Sequence, residues 1–399
     1  MPVYLMLFFF CLVGSISYGL HSYLYIRLFP LFEQCFPSLI QTWTPFLEEG
    51  GKELIKLIFS MVVMSYFIVG KYIHPRTWKV VGWVSSLWMG FAFLCLIWLG
   101  GVHVIQWILS WNDISLPWWI DGGVFIGIIF LWIKGLIHAL GPPEIKTLKI
   151  HFPHLDHRLN GFKIAQISDI HIGPILGRSF MKEIVRRVNE LKVDLVALTG
   201  DLVDGEVRYL AEGVDPIFDL KSTYGTFFVT GNHELISGVD PWVDYLKTKG
   251  QEGKLTVLEN ESLEISHQGS VLNVVGVEDW ESNKFTPHRM PNLEKALQGI
   301  DLNHFTLLLA HQPKAGVEAS QKGVHLQLSG HTHGGQIFPF THLIYLDQPY
   351  RSGLYWVDQL ALYVNEGTGY WGPPLRLGTR GEITLIQLCR GESEFVREM

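Results

Sequence analysis

The sequence predicts an α/β sandwich over residues 150–399, preceded by an all-helical region of about four membrane-crossing helices. Three observations predict it. The chain has 399 residues, enough for more than one domain. It is 48% hydrophobic and only 17% charged, which is apolar for a soluble protein. The charge is also uneven: residues 1–140 hold seven basic and six acidic side chains, whereas the remainder is roughly 22% charged, near the globular norm. A lipid-soluble module is therefore followed by a water-soluble one.

The apolar module divides into four candidate spans, at about 3–27, 54–73, 80–110 and 116–140. The first holds the run LMLFFFCLVG and has no charge from Pro2 to Ile26. No basic residue precedes its apolar core and no small-x-small site follows, so a retained helix is preferred to a cleaved signal peptide. The second is bracketed by Lys56 and Lys71. The third is uncharged from Val80 to Asn112, longer than the roughly 20 residues a span needs. Either it tilts, or its Trp107/Trp111 end lies in the interface. The fourth is opened by Pro117, Trp118 and Trp119, aromatics that suit the headgroup zone.

Gly141-Pro142-Pro143 breaks the last helix and marks the boundary. A linker is expected over 141–160, and the globular domain over 161–399. His151, His154 and His157 fall in that stretch and read as solvated linker rather than metal ligands. Cys11, Cys35, Cys95 and Cys389 form no C-x-x-C pair, so neither a disulfide framework nor a zinc knuckle is expected. The formal charge of −7 offers no footprint for nucleic acid.

In the soluble part, strands are expected at Phe162–Ile167, Asp194–Leu198, Gly225–Val229, Val271–Val277, Thr306–Leu309 and Leu326–Leu328. Phe180–Leu191 has helical spacing. This alternation is what implies the α/β class. Residue types that bind metals concentrate just after five of these strands. They are Ser168-Asp169-Ile170-His171, Thr199-Gly200-Asp201, Thr230-Gly231-Asn232-His233-Glu234, Ala310-His311 and Ser329-Gly330-His331-Thr332-His333-Gly334-Gly335. Open α/β sheets bind ligands at the carboxyl ends of their strands. Hard or borderline divalent ions take carboxylate oxygen, amide oxygen and neutral imidazole. Two ions close together need a shared anionic ligand, and such a pair clamps the attacking and leaving oxygens in phosphoryl transfer. Taken singly, D-x-H, G-D-x-x-D and a lone His311 are also ordinary turn and core features. Five such turns in this order are not.

These motifs resemble the calcineurin-like metallophosphoesterase superfamily, with its D-x-H, G-D-x-x-D, G-N-H-E/D, H and G-H-x-H in order. The chain is similar in particular to a membrane-linked branch with D-I-H, G-D-L-V-D, G-N-H-E and G-H-T-H-G-G-Q, and with the later stretch from Asn365 through Pro373-Pro374-Leu375-Arg376 to Glu382-Ile383. The resemblance implies a four-layer α/β/β/α sandwich and two divalent ions, manganese first, with iron or zinc as alternatives. It implies Asp169, His171 and His333 on the first metal, and Asn232, His311 and His331 on the second. Asp201 bridges them and His233 is the general acid. Asp204 orients that imidazole or caps a surface turn; Glu234 caps the following helix or supports His233. Arg376 is a candidate phosphate contact, because a guanidinium matches phosphate geometry, or else a surface salt bridge. Gly334 and Gly335 shape the loop beside the metals; Asn365 has no assigned role.

The expected reaction is hydrolysis of a phosphodiester or pyrophosphate by in-line attack of water, with no covalent enzyme intermediate. A membrane-held enzyme meets lipid substrates, and within the branch UDP-2,3-diacylglucosamine is one such substrate. General or cyclic-nucleotide phosphodiesterase activity is the second reading, and a non-catalytic membrane sensor or scaffold the third. A transporter is disfavoured, because charges inside the spans are few. The expected place is the inner membrane, crossed several times. Lys71, Arg76 and Lys79 mark the second link, and Lys134, Lys146 and Lys149 follow the fourth span, so the positive-inside rule puts both on the cytoplasmic side. A fluorescent protein fused after Met399 should therefore glow in the cytoplasm. Fluorescence seen only from a periplasm-competent reporter would reverse the orientation.

Overall fold

The computed structural model describes residues 3–72, 79–117, 119–173, 175–251, 255–286 and 288–392. Arg76, Trp118 and the end of the second predicted span at Ile73 lie outside the described residues. The chain forms two compact units. One comprises the helices up to residue 137 together with residues 372–375; the other comprises residues 138–371 and residue 376 onward.

The first unit consists of α1 (Val3–Cys35), α2 (Pro37–Phe46), α3 (Lys52–Tyr72), α4 (Lys79–Ser110) and most of α5 (Trp119–Leu140). The predicted spans fall largely in helices as far as they are described: the first runs on to Cys35, well past residue 27, and α5 begins at Trp119 rather than at 116. Among the described residues, α4 and α5 are long and apolar enough to cross a membrane. Arg27 donates from Nη2 to Gln106 Oε1 (2.8 Å) and to Asp121 (3.2 Å). Arg27 of α1 thus meets α4 through a hydrogen bond to Gln106 and α5 through an ion pair with Asp121.

The second unit is a mixed α/β fold with two six-stranded sheets. In chain order its elements are β1 (Glu144–Phe152), β2 (Lys163–Ile167), α6 (Arg178–Glu190), β3 (Leu195–Thr199), α7 (Val207–Val214), β4 (Thr226–Val229), α8 (Asn232–Ser237), α9 (Val239–Gly250), β5 (Leu255–Val257), β6 (Glu261–His267) and β7 (Ser270–Gly276). Then follow α10 (Ser282–Phe285), α11 (Leu293–Ala296), β8 (Phe305–Leu309), α12 (Gly316–Gln321), β9 (Leu326–Ser329), α13 (Phe340–Leu343), β10 (Gly353–Val357), β11 (Leu360–Val364) and β12 (Glu382–Arg390). The strand orders are β1-β12-β2-β3-β4-β5 and β10-β11-β9-β8-β7-β6. Strands β2 to β5 run parallel, as do β7, β8, β9 and β11.

Side chains alternate along these strands and enter different cores. Leu195 and Ala197 of β3 join Leu272, Leu307 and Leu326 between the sheets. Val196 and Leu198 turn the other way, onto Met181, Ile184 and Val188 of α6 and Trp242 of α9. On the second sheet, Val275, Leu308 and Leu360 meet Leu293 and Ala296 of α11 and Ala319 of α12. Parallel strands buried on both faces read as continuous apolar runs, which is why VALT and FTLLL are visible in the sequence.

The stretch read as a linker, 141–160, contains a strand. Glu144–Phe152 pairs in parallel with β12 over its whole length. Its outer half is exposed and its charged residues mask the alternation of Leu148, Ile150 and Phe152. Its partner lies some 240 residues later, so no local pattern announces the pairing. His151 sits in this strand. Strands β5, β6 and β10 to β12 are likewise additions to the six expected.

Leu307 is fully buried between the sheets. Leu307→Ala should cost about 2–5 kcal/mol through lost burial and an incompletely collapsed cavity. Urea denaturation followed by tryptophan fluorescence should show the lowered midpoint.

Candidate metal centre

Five side chains proposed to bind metal stand on backbone that L-residues seldom adopt. Asp169, His171, Asp201, His331 and His333 have φ of +52°, +54°, +53°, +72° and +50°. Each such residue costs on the order of 1–3 kcal/mol and persists only where the surroundings enforce it. Here the turns enforce one another. Asp169 N–H donates to Gly200 O (3.0 Å), His171 N–H to Asp201 O (3.1 Å) and Gly369 N–H to Asp169 O (3.0 Å). The cost is local; the benefit is that strand ends bend sharply enough for neighbouring side chains to converge.

The glycines follow from this crowding. A Cβ on Gly231 would lie 2.2 Å from Asp201 Oδ1, and one on Gly330 would lie 2.1 Å from Asp169 Oδ2. Backbone here touches carboxylate, so no larger residue fits.

The side chains form two connected clusters. In the first, His171 Nε2 stands 3.0 Å from His333 Nε2, and His333 Nε2 stands 3.5 Å from Asp169 Oδ1. In the second, Asn232 Oδ1 lies 3.1 Å from His311 Nε2 and 3.0 Å from His331 Nδ1, and those two nitrogens are 3.2 Å apart. Asp201 belongs to both: its Oδ2 is 3.2 Å from His311 Nε2 and 3.9 Å from His171 Nε2. Ligand atoms of Asp169, His171 and His333 lie within 4.8 Å of one another, as do those of His171, Asp201 and His233, and of Asp201, His311 and His331. Burial, and then neighbouring cations, lower His333 well below the ordinary imidazole range; His331 is brought down to about 3 by burial and His311. Burial would lower His311 too, but the Asp201 carboxylate overrides it and raises it well above the ordinary range. Imidazole nitrogens, an amide oxygen and buried carboxylates thus converge at these distances. This donor set fits divalent cations. The seven expected ligands and His233 are thus brought together.

Asp204 is an orienting group rather than a surface cap. Its Oδ1 accepts from His171 Nδ1 (2.8 Å) and from His233 Nδ1 (2.6 Å). One carboxylate oxygen therefore fixes the tautomer of a candidate metal ligand, His171, and of the proposed acid together. Burial would lower the His233 pKa, but Asp201 and then Asp204 override it and hold it up at about 9.

Glu234 does not touch His233. Its Oε2 accepts from Gly231 N–H (2.7 Å), which caps α8, and from Asp201 N–H (3.0 Å). Its Oε1 accepts from Leu202 N–H (2.7 Å) and Val203 N–H (3.3 Å). Both carboxylate oxygens are spent on the turn that carries Asp201. Burial, followed by the Asp201 charge, pushes Glu234 up to about 7.

Arg376 is neither a surface salt bridge nor open to a phosphate. It is fully buried. Its Nη2 donates to Glu366 O (2.8 Å), Gly367 O (3.1 Å) and Gly369 O (2.6 Å), its Nε to Gly369 O (3.2 Å) and its Nη1 to Thr379 Oγ1 (3.2 Å). Nη2 also lies 3.3 Å from His333 Nδ1. The guanidinium therefore shapes a loop that backs the first cluster: Thr368 N–H donates to Ser168 O (2.7 Å), and a Cβ on Gly367 would stand 2.8 Å from His333 Nδ1. A flat, fivefold donor matches several carbonyls at once. Asn365 caps this loop, its Oδ1 accepting from Gly367 N–H (2.7 Å).

Sequence reasoning missed two further groups. Gln336 holds Trp371 from both sides, Oε1 accepting from Trp371 N–H (3.0 Å) and Nε2 donating to Trp371 O (2.8 Å). The Trp371 indole then stands edge-on to His233, ring centres 5.8 Å apart. Behind His311, the Gln312 amide donates to both oxygens of buried Asp279 (3.1 Å each), whose pKa burial raises to about 6. The Gln directly after G-H-T-H-G-G was the available signal for the first; nothing local marked the second.

A family model described as calcineurin-like phosphoesterase matches residues 162–335, which hold all seven expected ligands and His233. An uncharacterized metallophosphoesterase of Helicobacter pylori is 38% identical over 276 residues, 69% of this chain and 71% of that protein. The chain belongs to the calcineurin-like metallophosphoesterases. Another uncharacterized metallophosphoesterase, from Campylobacter jejuni, is 33% identical over 84% of this chain and 87% of its own length. A Bos taurus protein described as a transmembrane protein with metallophosphoesterase domain is 42% identical over 65% of this chain. The match takes in 60% of that relative's length, and the same share of a Danio rerio protein of the same description.

Within this metallophosphoesterase, Arg376→Lys should weaken one metal site about tenfold or more, as loss of an outer-shell partner does, and spare the other. A two-step Mn2+ titration by calorimetry checks it. Equal loss at both sites, or none at either, would make Arg376 ordinary core.

Proposed function

We propose that this chain is a membrane-anchored, dinuclear-metal phosphoesterase that hydrolyses phosphodiester or pyrophosphate bonds, with a lipid-linked phosphoester as substrate class. The domain is read as the four-layer α/β/β/α sandwich of its family. The observation that carries the reading is the position of Asp201, within reach of both clusters, with His233 beside it. Divalent ions held by Asp169, His171 and His333, and by Asn232, His311 and His331, with Asp201 shared, would supply a low-pKa water and neutralise phosphoryl charge.

The chain's own residues do the rest. The Asn232 side chain lies with the second cluster, so the adjoining His233 is carried to its edge by the backbone. His233 N–H also donates to Asp201 Oδ1 (2.8 Å). With Nδ1 engaged by Asp204, Nε2 is the nitrogen that gives its proton to the departing oxygen as the P–O bond breaks. The Asp204 carboxylate on Nδ1 supports the imidazolium that gives up that proton. Attack in line and protonation of the leaving group occur on opposite sides of phosphorus, so no protein atom need bond to it.

The membrane half of the proposal draws on the two helices able to cross a membrane and on relatives described as transmembrane proteins. We read four spans, with the catalytic unit on the cytoplasmic side of an inner membrane. The meeting of Arg27, Gln106 and Asp121 agrees with alternate crossings, since these residues sit at the end of the first span, the end of the third and the start of the fourth. UDP-2,3-diacylglucosamine is the first lipid to test, and Mn2+ the first metal.

Purified in detergent with Mn2+, the chain should split bis(p-nitrophenyl) phosphate. Asp201→Asn and His233→Ala should each lower kcat at least about a hundredfold without unfolding. Chelation should abolish turnover and Mn2+ restore it. Full activity in a clean His233→Ala preparation would remove the acid assignment. A protein that holds two metals yet splits neither this diester nor the lipid, followed by mass spectrometry, would be a binding module instead.

A further inference from the structure

The segment that follows the G-H-T-H-G-G turn is unusual for a water-soluble surface. Residues 336–346 contain no Asp, Glu, Lys or Arg. They fold into α13 and a 3-10 turn, Ile344–Leu346. Ile337 is buried, but most of the other apolar side chains face outward: Leu346 is 85% exposed, Tyr345 54% and Leu343 47%, and Phe338 and Phe340 are also exposed. Trp371, 52% exposed, joins them at the base, because Gln336 clamps its backbone from both sides. Single exposed hydrophobes are normal, but a contiguous run is a recognition feature.

The position of this lip matters as much as its composition. Gly335, where the lip begins, packs so closely on Thr341 that a Cβ there would meet the Thr341 Cα at 2.3 Å. Thr341 also accepts through its carbonyl from Arg351 Nη1 (3.5 Å), and Thr332 Oγ1 donates to Arg351 O. The lip is thus built onto the loop that carries His331 and His333, and its Trp371 flanks His233. It borders the reacting centre on the leaving-group side.

A chain argument commits the occupant. The candidate span Trp119–Leu140 ends four residues before the first strand residue, Glu144. Extended chain of that length reaches no more than about 14 Å. The start of β1 is therefore held within the depth of the headgroup region. The lip lies at the same end of the sheet, since Glu144 N–H donates to Gly381 O (2.7 Å) and Phe338 N–H to Leu377 O (3.0 Å) on the same loop. Aromatic and aliphatic side chains on a short helix partition at that depth.

We propose that residues 338–346 and Trp371 form an interfacial lip that enters the bilayer surface, so that the metal centre takes phosphoesters whose leaving group remains embedded in lipid. This rests on the reading of the chain as a membrane-anchored phosphoesterase. It adds the surface by which the site reaches a lipid substrate without drawing it wholly into water.

The test uses the full chain in nanodiscs of phosphatidylcholine and phosphatidylglycerol, with the four native cysteines replaced. Nitroxide labels are placed by Leu343→Cys and Leu346→Cys, and by Leu302→Cys as an exposed control at the opposite end of the strands. The lip labels should be relaxed by oxygen and protected from a water-soluble nickel chelate, while the control shows the reverse. Lip labels as open to nickel as the control would overturn the proposal.

A second arm compares two substrates in Leu343→Glu/Leu346→Glu. Hydrolysis of bis(p-nitrophenyl) phosphate should stay within about twofold, while hydrolysis of a vesicle-embedded lipid pyrophosphate should fall at least tenfold. Equal loss of both, or loss of neither, would also overturn it. If the unmodified chain splits neither substrate, the phosphoesterase reading fails, and the nitroxide depths still decide whether the lip meets lipid.

Discussion

Both carboxylate oxygens of Glu234 are spent on backbone amides, and the catalytic geometry depends on this one arrangement. The turn that carries Asp201 needs a left-handed residue flanked by unpaired N–H groups. A buried carboxylate with four such donors offsets both the strain and the desolvation of the amides. Because Glu234 lies on α8 directly after Asn232 and His233, the same contact sets the distance between Asp201 and those two residues. The proposed bridge Asp201, the candidate ligand Asn232 and the proposed acid His233 are thereby placed by one buried side chain.

The pattern recurs around the site. Asp204 ties His171 to His233, Arg376 ties three carbonyls behind His333, and Gln336 ties Trp371 to the loop of His331 and His333. In each case a planar, multiply bonding side chain, itself buried or nearly so, spans two segments far apart in sequence. Two of these outer groups, Asp204 and Glu234, are carboxylates, one is a guanidinium and one an amide; what they share is that they hold the inner donors in place. The strained turns are affordable because two sheets with continuous apolar cores lie beneath them, and a well-packed scaffold over-determines the conformation of its loops.

Much of this was legible beforehand. The residues before the ligands, such as Leu195–Thr199 and Phe305–Leu309, are buried on both faces and so read as unbroken apolar runs. The candidate ligands were legible in part because glycine marks three of the five turns: Gly200, Gly231 and Gly330 stand where a Cβ would strike a carboxylate or an imidazole. The edge strand Glu144–Phe152 was not legible, since half of it faces solvent and its partner comes from the far end of the chain. Nor was the true place of Arg376. A sequence shows that an arginine follows Pro373-Pro374-Leu375; whether it looks outward to phosphate or inward to carbonyls depends on loops that close only in three dimensions.

The sequence by itself thus determined the order of a helical region and an α/β domain, the five turns that carry the candidate ligands and the metallophosphoesterase family, because period, composition and turn residues are local properties. Tertiary structure decided which carboxylate orients which imidazole, that Glu234 serves Asp201 rather than His233, that Arg376 is buried, and that residues 338–346 stand exposed beside the loop of His331 and His333. Those outcomes depend on distances between residues tens to hundreds of positions apart, and only the packing of the two sheets sets them.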